Sequence, residues 1–283
     1  MYNIVVQNKL ILKEILKMKK ILLLALVVCL ALALIACQPA NGNGNNENNE
    51  NNQPACTEHT DFNADGVCDT EGCDEAVQVN VMSYAEYAAA DLSTFVVIDA
   101  YVQAHQSWWS NKITVYLADE DGAYFAYEMA CSEEDATRLT PGTKIRVYGY
   151  KDAWAGEVEI TDCGFYFLEG DTYVATPVDL TDKLGTDELI NYQNQLAKFT
   201  DMTVTAIAYK NDAPGDDIYV TLEKNGEQYS FCVEVYLTGT SSDLYKLFTQ
   251  GTVLVGDEVD IEAFLYWYDG ANPHIVSITN INE

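Results

Sequence analysis

One order of segments occurs twice between residues 82 and 281, and it leaves few folds open. In the first pass, aromatic and β-branched runs at 95–104, 112–117, 123–129, 143–150 and 156–160 read as strands separated by Gly, Asn and Asp turns. Within 112–117, Ile113, Val115 and Leu117 alternate onto one face. Ser132 with Asp135 three residues on gives a capped helix start between the third and fourth runs. A short helix is expected at 82–90. The second pass has strand-like runs at 199–209, 217–223, 227–237, 257–267 and 274–281, with a capped helix at 241–251, again between the third and fourth. Five strands with a helix in that position is the plan of the OB-fold, a small Greek-key barrel. The expected fold class is therefore all-β with short helices: two tandem OB-fold-like barrels, at 77–170 and 171–283, preceded by a disordered tether and a small metal-loop segment. A β-sandwich of similar strand count is the alternative.

What precedes the barrels carries an address. Lys19 and Lys20, an almost unbroken apolar run over 21–35, small Ala36 and then Cys37 form a secretory signal, with Met18 a more natural start than Met1. Leu34-Ile35-Ala36-Cys37 resembles the bacterial lipobox. That resemblance implies cleavage after residue 36, a diacylglycerol on the Cys37 thiol, and a protein held on the extracytoplasmic face of the cell membrane by its N-terminal lipid. Two acyl chains suffice for stable anchoring without a spanning helix. A plain membrane-spanning anchor is the competing reading, and the run is short for one, since a span takes about 20 residues. Residues 37–55 contain no aliphatic side chain larger than alanine after the acylated cysteine, so they read as a flexible linker.

Charge and cysteine usage bound the partners. Removing 1–36 takes away five Lys and one Glu, leaving 10 basic and 43 acidic residues, formally −33. Phosphate backbones need Lys and Arg, and Arg138 and Arg146 are the only arginines, so nucleic acid is not expected as a partner. Three cysteines cluster in residues 56–76, and Cys131, Cys163 and Cys232 are scattered through the barrels, which is not a disulfide framework. Cys131 and Cys163 form a pair or stay as buried thiols.

The 56–76 segment admits two metals. Asp61, Asn63, Asp65, Val67 through its carbonyl, and Asp69 match the first nine positions of an EF-hand-type loop, with Gly66 at the sharp turn. Gly72 stands where the bidentate Glu belongs, so calcium should bind weakly; the pattern resembles truncated calcium loops such as dockerin or thrombospondin type 3 repeats. Cys56, His59, Cys68 and Cys73 form two close ligand pairs and offer a structural zinc site instead. A disulfide or a metal-free acidic linker is the third possibility. Calcium is preferred, because five oxygen positions agree in register.

The runs at 82–90, 102–131, 142–160 and 192–204 resemble cell-surface bacterial lipoproteins with tandem OB-like domains of unknown ligand; the resemblance implies no catalytic residues. OB-folds bind through the barrel face and the loops between strands 1–2 and 4–5. Trp108, Trp109, Trp154 and Trp267 all lie in or beside such loops, where they stack on a ligand or cap the barrel core. Nothing matches Gly-x-Ser-x-Gly, His-Glu-x-x-His or a phosphate-cradling Gly-rich loop followed by Lys. The chain is therefore expected to be no enzyme but a binding module for glycan, or else an assembly protein presenting a protein-binding surface. The oligomeric state stays open.

Overall fold

The computed structural model describes residues 60–70, 73 and 75–280. The signal segment, Cys37, the linker, Cys56 and His59 lie outside them.

The first pass has the expected order of elements. Helix α1 (Tyr84–Ala89) starts at Ser83, whose hydroxyl accepts the Glu86 N–H while the Glu86 carboxylate accepts the Ser83 N–H. Strands β1 (Phe95–His105), β2 (Lys112–Ala118) and β3 (Ala123–Ala130) follow. Then come a single helical turn, α2 (Glu133–Ala136), and strands β4 (Lys144–Trp154) and β5 (Glu157–Phe167). The strands close in the order β1-β2-β3-β5-β4, with β4 paired back to β1. The parallel β3–β5 contact is confined to Ala126 opposite Ile160. Beyond it the two strands form no further ladder pair, and the unpaired stretch leaves a gap lined by residues of both.

The second pass repeats the connectivity. After the edge strand β6 (Val178–Asp179) come β7 (Leu196–Tyr209), β8 (Ile218–Lys224), β9 (Glu227–Val233), helices α3 (Val235–Thr238) and α4 (Asp243–Thr249), β10 (Glu258–Phe264) and β11 (His274–Asn280). The order β7-β8-β9-β11-β10 closes through β10 onto β7, and β9 and β11 run parallel at Cys232 and His274. The molecule is thus two tandem OB-type barrels with short helices.

Two local expectations differ. The third strand of the second barrel ends at Val233 instead of 237, because the Asp217 carboxylate takes the Val235 N–H and the chain coils into α3, stopped by Gly239 at φ +78°. The segment 151–156, read as a loop, is mostly strand: β4 runs to Trp154, and only Ala155 and Gly156 turn, at φ +50° and +91°. That primed geometry fits the twist of a hairpin. The loop at 105–112 closes likewise through Ser110 and Asn111, at φ +50° and +62°.

Each barrel has its own apolar centre, and a third cluster of Tyr116, Phe125 and Phe264 joins them. Tyr116 stacks on Phe264 with centroids 4.3 Å apart, a contact worth about 1 kcal/mol beyond its buried area. Strand β2 is consequently buried on both faces: Val115 and Leu117 fill the first barrel, while Tyr116 points out into the second. Both barrels fall in one compact unit.

Candidate functional site

The open half of the first barrel's outer face is built around the 105–112 turn. Trp109 and Lys112 exchange backbone hydrogen bonds of 3.0 Å across it. Adjacent extended residues face opposite ways, and the two tryptophans divide accordingly. The Trp108 indole packs on the barrel core and donates its Nε1–H to the Cys131 carbonyl at 2.9 Å. Trp109 is 65% exposed. Across the hairpin, Glu128 sits at φ +47° in a bulge where its N–H goes to the Thr114 hydroxyl. The bulge re-aims neighbouring side chains: Tyr127 and Glu128 both face the groove, and Glu128 holds Lys112 at 2.6 Å.

The second barrel supplies the far wall. Ser107 donates its N–H to the Tyr236 carbonyl at 2.7 Å, and Gln106 reaches both Glu234 oxygens at 3.2 Å. Tyr236 is thereby fixed at the rim, 61% exposed. Burial and the neighbouring Asp217 push the Glu234 carboxyl up to about 7.

Three adjoining cavities make one groove. The first, about 670 Å³, lies among Gln106, Trp109, Thr114, Tyr127 and Tyr236. It shares Lys112, Tyr127 and Glu128 with a second of about 610 Å³, which runs into the β3–β5 gap beside Tyr148 and Glu159. That one shares Asn111 and Ala130 with a third of about 550 Å³ against Cys131 and Tyr166. The polar groups on its walls are hydroxyls, amides, carboxylates and the Lys112 ammonium. Cys131 and Cys163 are not bridged; burial pushes the thiols up to about 11 and about 12, leaving them protonated and unreactive.

The remaining tryptophans lie elsewhere. Trp154 is 65% exposed at the tip of β4. Trp267 packs against the second barrel's core, receives the Gly156 turn of the first barrel, and lines a separate cavity of about 290 Å³ with Tyr229. The four rings therefore do not form one platform. Tyr127, Tyr236 and Glu159, which complete the groove, carried no signal beyond exposed-face positions in strand-like runs.

Neither described barrel histidine is set up for catalysis. His274 is buried at the junction, its Nδ1 3.0 Å from the Tyr116 hydroxyl and its ring stacked on Tyr266, and burial lowers it to about 4. His105 Nδ1 lies 2.8 Å from the Gln106 carbonyl oxygen.

In the metal-loop segment, the Asp61 carboxylate accepts the N–H groups of Asp65 and Gly66, Asn63 accepts that of Asp65, Asp65 that of Val67, and Asp69 that of Phe62. Gly66 is at φ +84°, and Val67 bridges to Ala76. Cys68 and Cys73 are both buried, and the Cys68 thiol is drawn down to about 6, first by a hydrogen bond from Thr70. Among the described residues no group of three or more His, Cys, Asp or Glu side chains converges as a metal site would.

No family model matches the chain, and no curated protein is similar to it. Solved structures similar to it include the p202 HIN1 domain in complex with 12-mer dsDNA, at 10% identity over 70% of this chain and 97% of that one, with a TM-score of 0.33. A murine DNA-binding protein bound with dsDNA matches at 13% identity over 66% of this chain and 97% of that one, TM-score 0.32. A replication protein A heterotrimer bound to ssDNA matches at 11% identity over 68% of this chain and 50% of that one, TM-score 0.29. Likeness at this level assigns no ligand. These three are DNA complexes nonetheless, which corrects the expectation drawn from net charge: nucleic acid is not excluded as a partner by an acidic composition.

Proposed function

We propose that this protein is a membrane-anchored, non-catalytic binding module that holds an extended glycan in the groove of its first barrel. The observation that carries the reading is the convergence of three exposed rings, Trp109, Tyr127 and Tyr236, on one cavity that also presents Gln106, Ser107 and Thr114. Large aromatic side chains are normally buried. Rings left bare around a polar groove suit the C–H faces of sugars, with the amide and hydroxyl groups matching sugar hydroxyls. The lipobox-like Leu34-Ile35-Ala36-Cys37 supports the membrane attachment.

Binding of the full chain to a glycan array, followed by calorimetry on the best ligand, tests this. Trp109→Ala and Tyr236→Ala should each weaken binding about five- to tenfold at unchanged melting temperature. Undiminished binding by both variants, or a wild-type chain that binds oligonucleotides and no glycan, overturns it. Co-purification of a stoichiometric protein partner without glycan binding points instead to the assembly role.

We also propose that residues 56–76 bind calcium and stiffen the stalk between anchor and barrels, with zinc on Cys56, His59, Cys68 and Cys73 as the alternative. The turn at Asp61–Gly66, already folded around the Asp61 carboxylate, supports calcium; the buried, acidified Cys68 supports zinc. Calcium heat on titration of the metal-stripped protein is the expected result. Stoichiometric zinc in the isolated protein without calcium heat reverses the order.

A further inference from the structure

We infer that the middle of this groove recognises an ammonium group, so that the glycan it takes is an amino sugar carrying free amines; the inference rests on the groove being the glycan site. The deciding residue is Glu159. Its side chain lines the cavity of about 610 Å³ that opens into the β3–β5 gap, yet the residue is only 7% exposed. Among the described residues it has neither a hydrogen bond nor an ion pair to the rest of the protein. Its carboxyl oxygens are not sealed in: they open onto the cavity, where a ligand can reach them.

Its surroundings disfavour the charged form unless a cation arrives. Asp152 stands directly opposite in the β4–β5 register, and like charges in that position repel. Burial first, and Asp152 second, push the Glu159 carboxyl up to about 7. Lys112 lines the same cavity but is engaged by Glu128 at 2.6 Å, so the protein's own cation is spent on another carboxylate. Tyr127, 43% exposed, and Tyr148 line the cavity beside Glu159. A carboxylate sharing a cavity with aromatic rings is the chemistry that selects ammonium: the ring faces attract the cation, and the anion neutralises it. A neutral N-acetyl group meets the rings but leaves the carboxyl uncompensated.

Calorimetry of the full chain at pH 7 with β-1,4-linked tetrasaccharides of glucosamine and of N-acetylglucosamine tests the inference. The amine oligomer should bind on the order of tenfold more tightly. Glu159→Gln, isosteric and relieved of the Asp152 repulsion, should fold as stably as wild type and lose the preference for the amine oligomer. Trp109→Ala should weaken both oligomers alike. Equal binding of the two oligomers by wild type, or a preference that survives Glu159→Gln, overturns the ammonium site while leaving the groove as a glycan site. A preference lost to the same extent in Asp182→Asn, an exposed change on the second barrel, also overturns it, because general acidity would then be its source. Binding of neither oligomer overturns the ammonium site, and a blank glycan array beside it overturns the glycan reading as well.

Discussion

Lys151 shows how one side chain can tie an element to the barrel. It is 6% exposed, and its ammonium donates to the carbonyls of Tyr87, Ala88 and Ala90 at 2.7–2.9 Å. These belong to the C-terminal turn of α1, where carbonyls run short of backbone donors and only that of Tyr87 also takes the Ala90 N–H. Burial lowers the lysine's proton affinity, but the three acceptors keep it seated. Lys151→Met removes every one of those donors while preserving length. It should cost about 2 kcal/mol in urea-induced unfolding, as expected when buried acceptors lose a charged donor; a loss of a few tenths would mean that water serves α1 equally well. The sequence made a short helix at 82–90 legible, and the structure shows that Ser83 and Glu86 cap its start. It could not show that Lys151, sixty residues on, completes the other end.

At the scale of elements, the β4–β5 hairpin does what its sequence concealed. Trp-Ala-Gly lacks the Asn-Gly signature of a primed turn, so the strand appeared to end near residue 150, and the extension to Trp154 emerges only from the pairing of Trp154 with Glu157. The extra length carries the turn into the second barrel. There the Asp269 N–H reaches the Ala155 carbonyl at 2.7 Å, and Gln193 donates to the Gly156 carbonyl at 2.6 Å. Gly156 is fixed for two reasons. Its φ of +91° disfavours a side chain, and a Cβ there would lie 2.7 Å from Cδ1 of Trp267. Gly156→Ala should therefore cost about 2 kcal/mol and shift Trp267 fluorescence as the ring is displaced from its seat. Loss of stability without a spectral shift would place the strain in the turn alone. In β5, Glu157 and Glu159 alternate with Val158 and Ile160, yet both glutamates are buried. Glu157 is covered by the second barrel, where it accepts the Trp267 N–H, and Glu159 lines the groove.

Across the whole molecule, the period-two runs and the position of one helix sufficed to reveal two barrels. Their junction was invisible, because it needs Tyr116, Phe264 and His274, drawn from sequence distances that no periodicity connects. Its chemistry carries a consequence for stability. Glu157 is fully buried between the barrels; its Oε2 accepts the Trp267 N–H at 2.8 Å and its Oε1 has no partner. Burial pushes this carboxyl up to about 8, and those of Glu159 and Glu234 up to about 7. An acid whose affinity for its proton is raised by folding favours the folded state below its unfolded value, near 4.3, and that advantage disappears as pH rises through the folded value. The melting temperature should therefore fall between about pH 4.5 and pH 8. Self-repulsion of the acidic surface also grows with pH, so the decisive measurement is a difference. Glu157→Gln retains an acceptor for the Trp267 N–H and cannot ionise. Its stability relative to wild type should rise steadily across that window and level off above about pH 8. A gap between the two proteins that does not change with pH would show that Glu157 keeps its ordinary acidity at the junction and that the barrels separate enough to hydrate it.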